Sequence, residues 1–254
     1  MSHLIQKIRD SIIGDCAAIE TPFGLRPLIY ADYTASGRSL SFIEDFIRNA
    51  VLPYYANTHS ETSFTGAQTT VLREQAREII RRAVNGTHRD KVIFCGSGAT
   101  AAINKLIDLL NLRLRQNVPN ELGLDGVIPA DDRPVVFIGP YEHHSNELPW
   151  RESIADTVVI PLNTKGQLDL FALEDALKQY IDRPLRIGSF SAASNVTGIK
   201  TDVPRVTSIL QRYGALSFWD YAAAAPYVRI DMNGRCPLDA VFVSPHRSEE
   251  HTSE

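Results

Sequence analysis

Cysteine is scarce. The three residues, Cys16, Cys95 and Cys236, stand far apart, and no CxxC pair occurs. That spacing excludes the sequence signatures of a disulfide framework and of a structural zinc site. Cys95 follows an apolar run, so it is expected to pack as a small hydrophobe. Long apolar stretches are missing too. None approaches the roughly 18 residues of a membrane span, and Met1 to Asp10 is amphipathic rather than secretory. A soluble, cytoplasmic protein is the expectation, with no membrane as partner. Positive charge is not in excess. Lys and Arg number 26 against 30 Asp and Glu, a formal net charge of -4, so nucleic acid is not expected as a partner either. Internal repeats are absent. What is present is enough apolar material, 44% of 254 residues, for one large domain or two small ones.

Helix and strand signals alternate along the chain. The first 30 residues read as a surface helix and arm. Ser41-Phe42-Ile43-Glu44 has the form of a capping box, followed by Ile43, Phe46, Ile47, Ala50 and Val51 at helical spacing, with Pro53 as the stop. A second helix is predicted from about Thr69 to Val84, with Ala76, Ile79, Ile80 and Ala83 on one face and Asn85-Gly86 ending it. Then come a strand at Lys91 to Cys95, a helix from Thr100, a loop over 116–134 and a strand at Val135 to Ile138. Further strands are predicted at Thr157 to Leu162, Leu185 to Phe190, Ala215 to Trp219 and Ala240 to Val243. Asp169 and Asp202 are placed to cap the intervening helices, and Gly214 to end the second. Strands that are apolar on both sides and alternate with helices indicate parallel βαβ units: an α/β fold, three layers deep, around a mostly parallel sheet.

Five of these runs end on polar clusters: Gly96-Ser97-Gly98-Ala99-Thr100, Glu142-His143-His144-Ser145-Asn146, Ser194-Asn195, Trp219-Asp220 and Ser244-Pro245-His246. In an open parallel sheet, ligands sit outside the carboxyl ends of the strands. The first cluster joins a strand to a helix, and its small residues let backbone amides approach a phosphate; a glycine-requiring tight turn explains it equally. Gly96, Gly98 and Ala101 fit a dinucleotide fingerprint only loosely, because the next strand ends on Gly139-Pro140 without an acidic residue. Asp220 follows an apolar run, where a carboxylate needs a cation or good hydrogen bonds. A protonated pyridine nitrogen, an arginine, or a capping role toward 222–225 would each serve. His143 and His144 point to opposite sides of an extended segment, and an imidazole can stack on a ring and exchange protons near neutral pH. A metal site from Glu142, His143, Asp220 and His246 lacks close ligand spacing. Asn195 could donate to a phenolate oxygen or serve its own turn.

Taken jointly, the clusters resemble the class V aminotransferase and cysteine desulfurase family of pyridoxal-phosphate enzymes, from about Tyr30 to His246. The resemblance implies the large domain of fold type I, incomplete here, with domain limits 1–30, 31–246 and 247–254. It implies pyridoxal 5'-phosphate as cofactor and a small amino-acid substrate. Gly98, Ala99 and Thr100 match the phosphate turn. His143, in Glu142-His143 with Pro149-Trp150 downstream, matches the catalytic histidine stacked on the ring. Asn195 with Gly198 matches the contact to the ring oxygen, Asp220 with Ala222 the partner of the ring nitrogen, and Ser244 and His246 the phosphate-binding segment before the cofactor lysine. Transamination, carbon–sulfur cleavage and racemisation all remain open. The family also implies a homodimer, to which the 59–66 loop contributes.

Two departures matter. The lysine position holds Arg247, whose guanidinium is permanently protonated and cannot replace the amine; Ala223 stands where relatives carry Gln or His. The tail from Arg247 to Glu254 has no apolar residue and resembles the translation of a sequencing-adapter oligonucleotide. The chain is therefore expected to be an N-terminal fragment of an enzyme. The alternatives are a non-catalytic fragment with weak non-covalent cofactor binding and a dinucleotide-binding oxidoreductase. In the fold implied, a strand after the lysine returns beside the first strand. Its loss is expected to leave the first strand without a neighbour and the chain poorly soluble.

Overall fold

The structure is a computed structural model that describes residues 3–58, 60–113 and 128–247. The expectations for 248–254, His59 and most of the 116–134 loop fall outside those residues. The chain divides into two units: the segments up to Ala83 and from Pro245 onward form one, and Val84–Ser244 the other.

The second unit is built on five parallel strands. They are β3 (Val135–Ile138), β4 (Asp156–Val159), β5 (Arg186–Ser191), β6 (Leu216–Asp220) and β7 (Ala240–Phe242), in the order β4-β3-β5-β6-β7. Alternate side chains of the strands feed two cores. Val135, Phe137, Phe190 and Trp219 pack on one face with Leu173 and Leu177 of α6 (Leu170–Gln179) and Val206 and Leu210 of α7 (Val203–Arg212). Val136, Ile138, Ile187, Phe218 and Phe242 pack on the other with Ile103 and Ile107 of α4 (Gly98–Leu109) and Trp150 of α5 (Leu148–Arg151). Helices on both faces make this the three-layer α/β/α arrangement expected, and explain why β3 is buried along its whole length. The caps are where the sequence places them. Asp169 accepts from the N–H groups of Phe171 and Ala172, and Asp202 from that of Arg205.

The strand expected at 91–95 is absent. The sheet ends at β7, and a strand exists only through the ladder it shares with a neighbour. Ile93 and Phe94 consequently stay 56% and 48% exposed, and Cys95, expected in the core, is only part-buried.

In the first unit, α1 (His3–Asp10) leads into a hairpin of β1 (Ala18–Thr21) and β2 (Gly24–Pro27). The helix α2 (Ser41–Phe46) runs on through a π-helical turn, Ile47–Val51, into a 3-10 turn that contains Pro53. The capping box does not form. Leu40, buried and bridged to Ile12, takes the N-cap position, which shifts Ser41 inside the helix, where its hydroxyl caps nothing. The helix α3 (Phe64–Ala83), the longest among the described residues, begins five residues before the expected start. Ala76 and Ile80 of its expected inner face are part-buried, but Ile79 and Ala83 are exposed. It closes on Asn85, which takes a left-handed φ of 55°.

Candidate active site

The turn before α4 sets the first wall of the site. Gly98 has φ +63°, a conformation that favours glycine. Ser97, the N-cap, makes no side-chain cap hydrogen bond. The Ala99 N–H instead donates to the buried Ser244 hydroxyl just past β7, at 3.0 Å. The Thr100 hydroxyl pairs with that of Ser145 at 2.6 Å. Ser145 in turn holds His143: its hydroxyl lies 2.9 Å from Nδ1, and its backbone N–H donates to the same nitrogen at 3.2 Å. An N–H is an obligate donor, so Nδ1 is the acceptor and the neutral ring carries its proton on Nε2. Two hydrogen-bonded links, Ser244–Ala99 and Thr100–Ser145–His143, thus tie the clusters at 98–100, 143–145 and 244 together.

The second wall is acidic and buried. Asp220 ends β6, is 5% exposed, and accepts from the Ala222 N–H at 2.7 Å. That bond is the local capping role the sequence leaves open. Asp220 sits opposite Ser191 in the β5–β6 register. Ser191 donates through both its N–H and its hydroxyl to the Glu142 carboxylate, at 2.9 and 2.6 Å. Burial, opposed by hydrogen bonds from Ser191 and Asn146 and reinforced by the nearby charge of Asp220, pushes Glu142 up to about 7.

Asn195 lies on an exposed turn beyond β5. The turn is held by Ser194, whose hydroxyl accepts from the N–H groups of Val196 and Thr197, and Gly198 supplies φ +70°. His144 is exposed, its ring 6.1 Å from that of His143. His246 belongs to the other unit. It is exposed, in the 3-10 turn Pro245–Arg247, and its carbonyl accepts from the Gly37 N–H. Among the described residues, no group of three or more His, Cys, Asp or Glu comes together to hold a metal ion, and no helix is long and apolar enough to cross a membrane.

Four residues that the motifs do not assign help to build the site: Ser145, Asn146, Ser191 and Gly139. Ser145 and Asn146 lie in the 142–146 cluster, but serine and asparagine are too common in turns for the sequence to give them a role. Gly139 carried the best signal, as a glycine directly after a core strand.

The sequence profile described as Aminotransferase class-V matches residues 29–248. The chain belongs to that family. It is 29% identical over 231 residues to a probable cysteine desulfurase of Staphylococcus aureus, covering 88% of this chain and 50% of the relative. A probable cysteine desulfurase of Halalkalibacterium halodurans is also 29% identical, over 81% of this chain and 47% of that protein. The apo structure of a cysteine desulfurase from Thermococcus onnurineus superimposes with TM-score 0.75 and 19% identity, over all of this chain and 56% of that one. A NifS-like protein from Rickettsia africae gives TM-score 0.69 and 23% identity, over 87% and 55%. These likenesses show the fold. The class-V chain described here spans about half the length of the curated relatives it matches.

Proposed function

We propose that this chain is the cofactor-binding portion of a cytoplasmic, homodimeric pyridoxal-phosphate enzyme of the class-V family that acts on an amino acid. Cysteine is the first substrate to try, because the relatives matched are probable cysteine desulfurases. The observation that carries the reading is the pair of hydrogen-bonded links Ser244–Ala99 and Thr100–Ser145–His143, together with a buried Asp220 at the end of β6, opposite the Ser191 that holds Glu142.

The donor set fits the group. An α4 start that Ser97 leaves uncapped, with the hydroxyls of Thr100 and Ser244 at its first turn, suits a phosphate. A buried carboxylate suits a protonated ring nitrogen. When bound, the cofactor supplies an electron-withdrawing ring that stabilises negative charge at the α-carbon of the substrate.

The remaining work belongs to the chain. Gly98, Ala99, Thr100 and Ser244 anchor the phosphate. Asp220 holds a proton on the ring nitrogen through its negative charge. His143, with its proton on Nε2, covers the ring and exchanges protons with the substrate. Asn195 donates to the ring oxygen. Arg247 offers no amine, so the chain as written holds the cofactor without a covalent bond and is inactive.

Titrating the purified chain with pyridoxal 5'-phosphate, followed by borohydride and intact-mass measurement, tests this. Saturable binding that is weakened at least ten-fold by Asp220→Asn, with no borohydride-fixed mass at equimolar cofactor, is expected. Binding of a nicotinamide dinucleotide and not of pyridoxal phosphate would overturn the reading.

A further inference from the structure

Glu142 has no part in the chemistry above, yet its carboxylate accepts four hydrogen bonds. Oε1 accepts from the N–H of Gly139, at the end of β3, at 3.2 Å, and from the N–H of Ser191, at the end of β5, at 2.9 Å. Oε2 accepts from the Asn146 amide at 2.7 Å and from the Ser191 hydroxyl at 2.6 Å. Four donors therefore fill the lone-pair directions of one carboxylate.

The Asn146 orientation is fixed independently. Its Oδ1 accepts from the indole N–H of the fully buried Trp150, at 3.2 Å, and from the Ser189 hydroxyl, at 2.6 Å. Since an indole N–H only donates, the Asn146 amide nitrogen must face Glu142. The backbone makes room for this arrangement: a Cβ added at Gly139 would stand 2.4 Å from Oε1. A methyl group and the carboxylate cannot both occupy that space. His143 follows directly in sequence, and its carbonyl accepts from the Asn146 N–H at 2.8 Å.

We infer that Glu142 is the positioning residue of this site: by tying the 139–146 loop to the ends of β3 and β5, its carboxylate fixes where the His143 ring stands. The inference rests on the reading that His143 covers a bound pyridoxal phosphate. The titratable groups around the carboxylate are Asp220 from β6, and Tyr141, His143 and His144 from its own loop. β5 presents Ser189 and Ser191, and the 3-10 turn presents Asn146, none of which titrates. Burial and the charge of Asp220 oppose ionisation, and the donors favour it.

Two readouts on the full chain test this. The first needs no cofactor. The chain has two tryptophans, so a 15N–1H spectrum shows two indole N–H signals. The Trp150 signal, assigned with Trp219→Phe, is expected to titrate near neutral pH in the wild type. Glu142→Gln should lose that titration while keeping any contribution from the histidines. Ser191→Ala, which removes one donor and leaves the carboxylate, should move the midpoint upward. An identical titration in Glu142→Gln and wild type would overturn the inference. So would an unmoved midpoint in Ser191→Ala.

The second readout is affinity for pyridoxal 5'-phosphate at pH 8. Glu142→Gln and Gly139→Ala are each expected to weaken it about ten-fold. The double variant should be little worse than either, because both lesions strike one contact. Wild-type affinity in both single variants, with the wild type itself binding, would sink the clamp and spare the proposed function. No binding by the wild type would sink the proposed function, and the tryptophan titration would still decide the clamp.

Discussion

Asp220 and Glu142 are two acids near one site with opposite duties. Asp220 is expected to face the cofactor. Asp220→Asn keeps the Oδ1 acceptor for the Ala222 N–H, so that capping contact should survive the substitution. Cofactor affinity should fall by about ten- to a hundred-fold, the range for losing a charged hydrogen bond. Equal losses of stability and affinity would show a structural role only. Glu142 faces inward, and its raised value has a stability consequence. An unfolded glutamate titrates near 4.5, the folded one near 7. Between those values the folded state binds more protons than the unfolded one, so this residue's contribution is complete below about 4.5 and is lost as pH rises through about 7. The effect is roughly 3 kcal/mol at most. Urea midpoints measured from pH 4.5 to 8 should show wild type losing ground to Glu142→Gln across that window. A constant difference would contradict the assignment. The sequence offered Glu142 as a member of the 142–146 cluster and a candidate metal ligand, not as a clamp, since its four donors come from β3, β5 and a turn that nothing local announces.

At the level of elements, what depends on neighbours in sequence was legible. Asp169 and Asp202 cap their helices because a side chain reaching two or three residues ahead is a local matter. The run of β3, Val-Val-Phe-Ile, was legible because burial on both faces leaves a continuous apolar stretch; β5 and β6 carry serines and a glycine among their apolar residues and were legible by their place between helix signals. The failures were non-local. Ser41 lost its cap to the packing of Leu40, and 91–95 found no edge to join. Paired variants check this distinction in urea denaturation. Asp169→Ala should cost about 1 kcal/mol, and Ser41→Ala less than about 0.5 kcal/mol. Similar losses in both would mean that Ser41 does cap.

For the whole molecule, large apolar side chains lie open on both units. Ile29 is 88% exposed, Phe23 81% and Phe64 72%, besides Ile93 and Phe94. A surface of this kind favours association. Light scattering of the purified chain should detect oligomers or aggregates at micromolar concentration, with dye binding to exposed apolar surface. A monodisperse monomer with one cooperative unfolding transition would contradict that expectation. At the polar ends of the sheet, residues from separate segments converge at the start of α4, where the proposed function has them hold a vitamin-B6 phosphate. Phosphorus NMR of pyridoxal 5'-phosphate added to the chain addresses it most directly. A bound resonance, shifted from the free one, insensitive to pH between 6 and 8, and lost in a Thr100→Ala, Ser244→Ala variant, is the expected result. A single resonance that titrates as free cofactor at saturating protein would contradict it.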